Sequence, residues 1–489
     1  MKKIYALLFA LALLCSDFCS AQTRNPGLDV SRTNIWKFGW QWINVSPTID
    51  APGLDFTNGA PVVTVGGPKV ADGATSICDP SGNLQLYGGY LSMYNHTYSP
   101  LMNSGVVGDS GWIGISPTNL AVPQPNSPNL IYYFSTAATF RYSVIDMSLD
   151  GGKGAAILRN QLLVPSPAGV KLAAVHHCNG SDIWIVLHRW QTDSFFAYLL
   201  TDTGLNKIPV TSKTGPVDNE FGAYQAGKLK FSSDGNKLAM VTNGSNIEAH
   251  LFDFDKVTGI VSHPVKLQKD AWDQGIAFSP DNTKLYISTT TGILVQYDVL
   301  TGSAIAQSKK IIVDLIQDLS AMQLGRDGKI YLSSSGLPHN YFLEVIHNPN
   351  AMDTFCNFQA EAIYLNGSSG SARSLLNTVD SYFYTGSSAY PCYGDTTGIG
   401  IVESNADLGI KVYPNPFSDY TTIDIPNVLY EHERVEYRLF DIAGKECSAQ
   451  ITRKGYGLAK LQRAQLTPGL YFLVVSLYGK AQIFKLTIL

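Results

Sequence analysis

"LKFSSDGNKLAMVT" at 229–242 aligns without a gap onto "IAFSPDNTKLYIST" at 276–289, 47 residues further on. "MQLGRDGKIYLSSS" (322–335) follows at an offset of 46, one residue shorter in the turn. Each copy is an alternating strand, a Ser/Pro-Asp-Gly/Asn turn and a second apolar strand, which together spell a β-hairpin. The turn residues are those that adopt φ > 0 at low cost. After the first two copies a further strand closes on Asp-x-x-Thr-Gly, as "DKVTG" (255–259) and "DVLTG" (298–302). Four strands in 43–47 residues is the blade unit of a β-propeller.

Fainter copies spread outward from this core. "ICDPSGNLQLYGG" (77–89), "PNLIYYFST" (128–136) and "HHCNGSDIWIVLH" (176–188) each place a turn before an apolar strand, and "SYFYTG" (381–386) reads as a last strand. Residues 22–395 shared among seven blades give about 53 residues each. The expected fold is therefore all-β: an about seven-bladed propeller of the WD40 or YVTN kind over 22–395, with a solenoid as the competing arrangement. Composition agrees. Of 489 residues 45% are hydrophobic and only 15% charged, with 44 Gly, 26 Tyr and 21 Phe, a turn-rich β composition long enough for more than one core.

The N-terminus, "MKKIYALLFALALLCSDFCSAQ", has two lysines, an apolar run from Ile4 to Leu14 and a small-residue site at Ser20-Ala21. That is the pattern of a secretory signal peptide over 1–21, too short to span a bilayer, and no other apolar run approaches ~20 residues. Without it the chain carries 33 basic and 38 acidic residues. A net charge of −5 with no basic patch speaks against a nucleic-acid partner.

Five cysteines remain after cleavage: Cys78, Cys178, Cys356, Cys392 and Cys447. An exported chain permits disulfides, and the four in the body allow three connectivities. The favoured pair is Cys356–Cys392, whose intervening segment has the length of one hairpin unit. Neither a zinc-type Cys/His cluster nor a phosphate-cradling GxxxxGK[ST] occurs, so no metal and no cofactor is expected.

After a polar, glycine-spaced linker at 396–408 come four further motifs: "VYPNPFSD" (412–419), "YRLFDIAGKEC" (437–447), "LTPGLYFLVV" (466–475) and "GKAQIFKLTIL" (479–489). "TTIDI", "VEYRLFDI" and "LYFLVVSL" alternate as sandwich strands, and "PNP" is an opening turn, since proline cannot extend a central strand. In order and spacing these motifs resemble the type A sorting domains of type IX secretion cargo in Bacteroidetes. The resemblance implies an Ig-like β-sandwich over 409–489, handled by the type IX machinery and a sortase-like processing enzyme, with passage through the periplasm to the surface or the medium. It points to Tyr413, Pro414, Asn415 and Pro416 as the first motif and to Asp441 and Gly444 as the second. Gly469 and Tyr471 mark the third, and Lys480 and Lys485 the basic end. The body, roughly Trp36 to Tyr384, is similar to the N-terminal propeller-like region of gliding-motility-associated or PKD-containing surface proteins of Bacteroidetes. That similarity implies surface location and no activity.

Candidate chemistry in the body is sparse. "GDSGW" (108–112) and "AAVHHC" (173–178) imitate serine-protease motifs, but their order is reversed for that fold and Trp112 stands where a glycine is needed. His177 and His188 with Trp184 are weak metal or base candidates, against the plainer reading of braced blade residues. By period-2 counting Trp184, Val186 and His188 share one face. Asp79, Asp146, Asp202, Asp234, Asp255, Asp281 and Asp298 are the carboxylates available for glycoside hydrolysis, though turn positions explain them. "IWKFGWQW" (35–42) offers tryptophans either for sugar stacking or for blade packing. The expected role is binding, as an adhesion or scaffold module for a surface glycan or protein. The competing expectation is a hydrolase or lyase acting on polysaccharide or peptide at the channel mouth.

Overall fold

The computed structural model describes residues 25–390 and 409–489, apart from 40–50, 71–72, 90–91, 106–117, 218–226, 243–247, 268–272, 336–338, 368–374, 387–389, 427–434, 442–445, 456 and 478–479. The expected leader and linker lie outside them. The chain divides into two compact units, Met1–Tyr393 and Gly394–Leu489.

Among the described residues the first unit forms seven antiparallel sheets, each from one continuous stretch of chain. Their innermost strands are Ile35–Lys37, Thr75–Cys78, Thr118–Pro123, Lys171–His176, Gly227–Phe231, Asp273–Phe278 and Asp318–Leu324, which define blades 1 to 7. Blades 1 and 2 have three strands and blade 4 has five, the others four. Both faces of a blade strand are buried because each packs on a different neighbour. In Ile183–His188 of blade 4, Ile183, Ile185 and Leu187 join a core with blade 3, while Trp184 and Val186 join one with blade 5, as the period-2 count requires.

The ring closes by packing, since blades 1 and 7 share no strand among the described residues. Trp36 and Phe56 of blade 1 pack edge-on against Tyr331 of blade 7, with ring centroids 5.6 Å apart in each case. Trp36 is fully buried and its Nε1 donates to Thr33 O at 3.0 Å. It is a blade-packing anchor; Trp40 and Trp42 lie outside the described residues.

The repeated turn motif has a repeated geometry. Ser232 Oγ donates to Asp234 Oδ1 (2.6 Å) and accepts from Lys237 N (2.9 Å). In blade 6 Ser279 Oγ donates to Asp281 Oδ1 (2.6 Å) and accepts from Lys284 N (2.9 Å). Gly235 and Asn282 hold the left-handed position, at φ 72° and 61°. Blade 7 has Gly325 in place of the serine, and Asp327 turns instead to the Tyr331 hydroxyl at 2.7 Å.

One expected strand is corrected. "SYFYTG" (381–386) adds to no blade; Asp380–Phe383 is a 3-10 turn whose four residues are all buried.

The second unit is a β-sandwich. One sheet runs Lys411–Tyr413, Tyr420–Asp424, Leu458–Gln462, Gln450–Gly455, the other Glu446–Cys447, Val435–Asp441, Gly469–Leu477, Lys480–Ile488. Ile423, Leu439, Leu461, Leu473 and Leu486 fill the space between them.

Candidate functional site

A propeller presents its axis as the natural place for a ligand, and here the axis is filled by the chain itself. Leu375, Leu376 and Asn377 lie among the inner-strand residues Thr118, Leu172, Leu229, Ile276 and Met322. The cavity left between them is about 40 Å³, room for water and little else.

Asn377 fastens the upper part of this peg. Its N–H donates to Ala74 O (3.0 Å), its carbonyl accepts from Thr75 Oγ1 (2.9 Å), and its Nδ2 donates to Asn119 O (3.2 Å) and Leu172 O (3.4 Å). One residue pair further, Val379 bridges in parallel to Ala174 of blade 4. Asp380 Oδ1 then meets Lys230 Nζ at 2.8 Å, and its Oδ2 accepts from Phe231 N at 2.8 Å. Lys230 Nζ also donates to Gln323 Oε1 at 2.8 Å, so blades 5 and 7 meet across the peg. Ser381 Oγ pairs with His176 through both its backbone N–H (2.9 Å) and its ring Nδ1 (2.7 Å). Burial pushes the Asp380 carboxyl above the ordinary range, opposed by the ammonium of Lys230.

Beyond the peg, Phe383 enters the core between blades 6 and 7. Tyr390 lies under Lys256, whose Nζ sits 4.0 Å from the ring centroid. Burial lowers the Lys256 ammonium to about 8, with Asp234 and Asp255 opposing.

The weak candidates all lie in blade 4. His177 occupies the blade 4 turn at the place of Ser232 and Ser279: its carbonyl accepts from Gly180 N (2.9 Å) and its Nδ1 from Asn179 N (3.1 Å). Trp184 is buried between blades 4 and 5 and donates Nε1 to Lys256 O at 2.8 Å. His188 is buried edge-on to Phe195, centroids 4.6 Å apart. The fold does not bring His177 and His188 together, since they cap opposite ends of one hairpin. Ser110 lies outside the described residues.

Six of the seven aspartates spend a carboxylate oxygen on a nearby backbone N–H: Asp79 on Asn83, Asp146 on Ser148, Asp234 on Asn236, Asp255 on Val257, Asp281 on Thr283 and Asp298 on Leu300. The seventh, Asp202, gives its backbone carbonyl to Gln124 Nε2. No group of three metal-ligating side chains occurs among the described residues.

The favoured disulfide is also corrected. Cys356 is a free, buried thiol in the core between blades 6 and 7, and burial raises its pKa. Cys178, in the blade 4 turn, is disulfide-bonded. Cys78 and Cys447 form no disulfide, and Cys392 lies outside the described residues.

In the sandwich the four-residue motif at 413–416 grips the last strand. Asn415 Nδ2 donates to Lys485 O (2.6 Å) and its Oδ1 accepts from Thr487 N (2.9 Å). Two residues on, Phe417 N donates to Thr487 O (3.0 Å) and Phe417 O accepts from Leu489 N (2.9 Å). The asparagine side chain thus imitates a backbone partner between Pro414 and Pro416, neither of which has an N–H to offer. Tyr413 is half exposed. Tyr471 is buried and its hydroxyl donates to Thr467 O at 2.9 Å. Asp441 pairs with Tyr471 on the neighbouring strand, which Gly469 begins. Lys485 is exposed, Lys480 opens the last strand, and Gly444 lies outside the described residues.

Sequence reasoning missed the peg because "SLLNTVDSYFY" has the apolar content of a strand. One signal was available: the aligned repeats read LKF, IAF and MQL, so Lys230 and Gln323 put polar side chains on strands that otherwise face packed cores.

Comparison with known proteins bears mainly on the second unit. Residues 411–489 match the family described as the secretion system C-terminal sorting domain. No curated protein matches the chain. Among solved structures it is similar to the periplasmic gluconolactonase of Pseudomonas aeruginosa (13% identity, 70% of this chain and 98% of that one, TM-score 0.43). Others are a hydrazine synthase of Kuenenia stuttgartiensis (11%, 63% and 86%, TM-score 0.37) and a β-propeller domain of Myceliophteria thermophila (12%, 59% and 88%, TM-score 0.36).

Proposed function

We propose, from the type IX sorting domain that residues 411–489 carry, that the protein is a β-propeller delivered to the cell surface or the medium to bind. Residues 1–21 serve as the export leader into the periplasm. The sorting unit is read by the type IX machinery and removed by a sortase-like enzyme once the body has crossed. The body then acts as an adhesion or scaffold module for a surface glycan or protein. The observation that carries the binding reading is the filled axis. Where an enzyme of this architecture needs an open central cleft, Leu375, Leu376, Asn377 and Asp380 already occupy it, and recognition falls to the loops and outer surfaces of the blades.

The test takes the protein from its native cells, surface and medium separately. Intact mass should show loss of residues 1–21 and of roughly the last 80. That processed form should bind an array of surface glycans, or a surface protein, without shortening it. A mature protein that keeps its sorting unit overturns the address, and turnover of a polysaccharide or peptide overturns the binding role.

A further inference from the structure

Three of the four outermost strands of the terminal sandwich are short or irregular. Lys411–Tyr413 has three residues and runs into Pro414, and Glu446–Cys447 has only two. Gln450–Gly455 breaks register between Arg453 and Gly455. The fourth is different. Lys480–Ile488 has nine residues, all nine paired to Gly469–Leu477 without a shift, and it is the outermost strand of its sheet. A long, regular edge is a template for a further strand unless something covers it.

Half of it is covered. Asn415 and Phe417 take up Lys485 O, Thr487 N and O, and Leu489 N, and Phe417 bridges in parallel to Ile488. These are odd-numbered positions. The N–H and C=O of one residue in a strand point to the same side and alternate along the chain. The groups of Ala481 and Ile483, and the N–H of Lys485, therefore face the outer side, on which no further strand pairs with Lys480–Ile488 among the described residues.

We infer that the segment Ala481–Lys485 is a docking edge, and that its occupant is an extended strand of the export machinery added to the sheet beside the cis segment 415–417. The edge is already extended in cis by backbone and backbone-like hydrogen bonds, so a partner strand continues an existing line of pairing. Lys480 and Lys485 bracket the open stretch, in a unit with ten basic against seven acidic residues from 411 to 489; a strand with acidic flanks fits it. The four-residue motif at 413–416 has a second role here, holding the far half shut so that only one register is open.

This inference rests on the sorting reading, and the experiment separates the two. In the native host, the full chain is compared with a deletion of 409–489 and with Ala481→Pro and Ile483→Pro. Each proline removes an N–H that faces the open edge and none that pairs with Gly469–Leu477. The deletion and both proline variants should leave the protein in the periplasm, with at least tenfold less outside the cell, while the variants keep the wild-type Tm. Export of the deletion sinks the address itself. Export of both prolines at wild-type level, with the deletion retained, sinks only the docking edge. If the prolines lower Tm, hydrogen exchange decides with the wild-type chain. Solubilised outer membrane from exporting cells should slow exchange at 480–485, relative to outer membrane from cells lacking the secretion system. Unchanged exchange overturns the inference.

Discussion

Glu344 shows how much one buried side chain can say about conditions. Its Oε1 accepts from Ser334 Oγ (2.8 Å) and Gln317 Nε2 (3.2 Å), while Oε2 has no partner among the described residues. Burial pushes this carboxyl up to about 7, and Glu361 adds in the same direction. The native state therefore keeps a proton that the unfolded chain releases near 4.5, and stability falls as pH rises from about 4.5 to about 7. At ~1.4 kcal/mol per pKa unit the loss is roughly 2–3 kcal/mol, and Glu344→Gln should flatten it. Urea unfolding at pH 5 and pH 8 reads both. Lys256 works in the opposite sense: lowered to about 8, it makes stability rise between about pH 8 and its ordinary 10.5. Trp36→Ala at the ring junction should cost about 3–5 kcal/mol in the same assay, because its indole is fully enclosed by blades 1 and 7. The thiols give a chemical check. In unreduced, unfolded protein a maleimide should label Cys78, Cys356 and Cys447, and Cys178 only after reduction.

Among the elements, the peg is the one with the sharpest energetic signature. Asp380→Ala leaves Lys230 charged and buried with only Gln323 for company, and should cost about 3–5 kcal/mol. Replacing both partners, as Lys230→Met with Asp380→Leu, should cost less than half as much. Denaturant midpoints of the two variants test the difference. The blades themselves were legible because their information is local: a Ser-x-Asp-Gly/Asn turn followed by an alternating strand carries its own hydrogen-bond pattern, repeated at 47 residues. The peg was not legible, because its partners sit 149 to 302 residues away in sequence and nothing periodic links Asp380 to Phe231 or Asn377 to Thr75. Cys178 was hidden for the same reason. The sorting unit was legible through its four motifs, yet the grip of Asn415 on the last strand, 70 and 72 residues away, was visible only in the fold.

Taken whole, the body is a ring whose last-made segment runs through its own centre. Every blade precedes residue 375 in the chain, so the axis can be filled only after the blades exist to receive it. The peg also stands between the ring and everything C-terminal to Tyr390. Tension applied at the far end of the chain, by a motor that draws it outward or a tether that holds it to a surface, reaches buried Tyr390 on Lys256 of blade 5 and then the peg, before it reaches any blade strand. There it meets Asn377 on blades 2, 3 and 4, Asp380 on blade 5 and Ser381 on blade 4, all pulled at once. A terminal blade would be unzipped one bond at a time by the same force. Gripped at its hub, the wheel shares the load among its spokes.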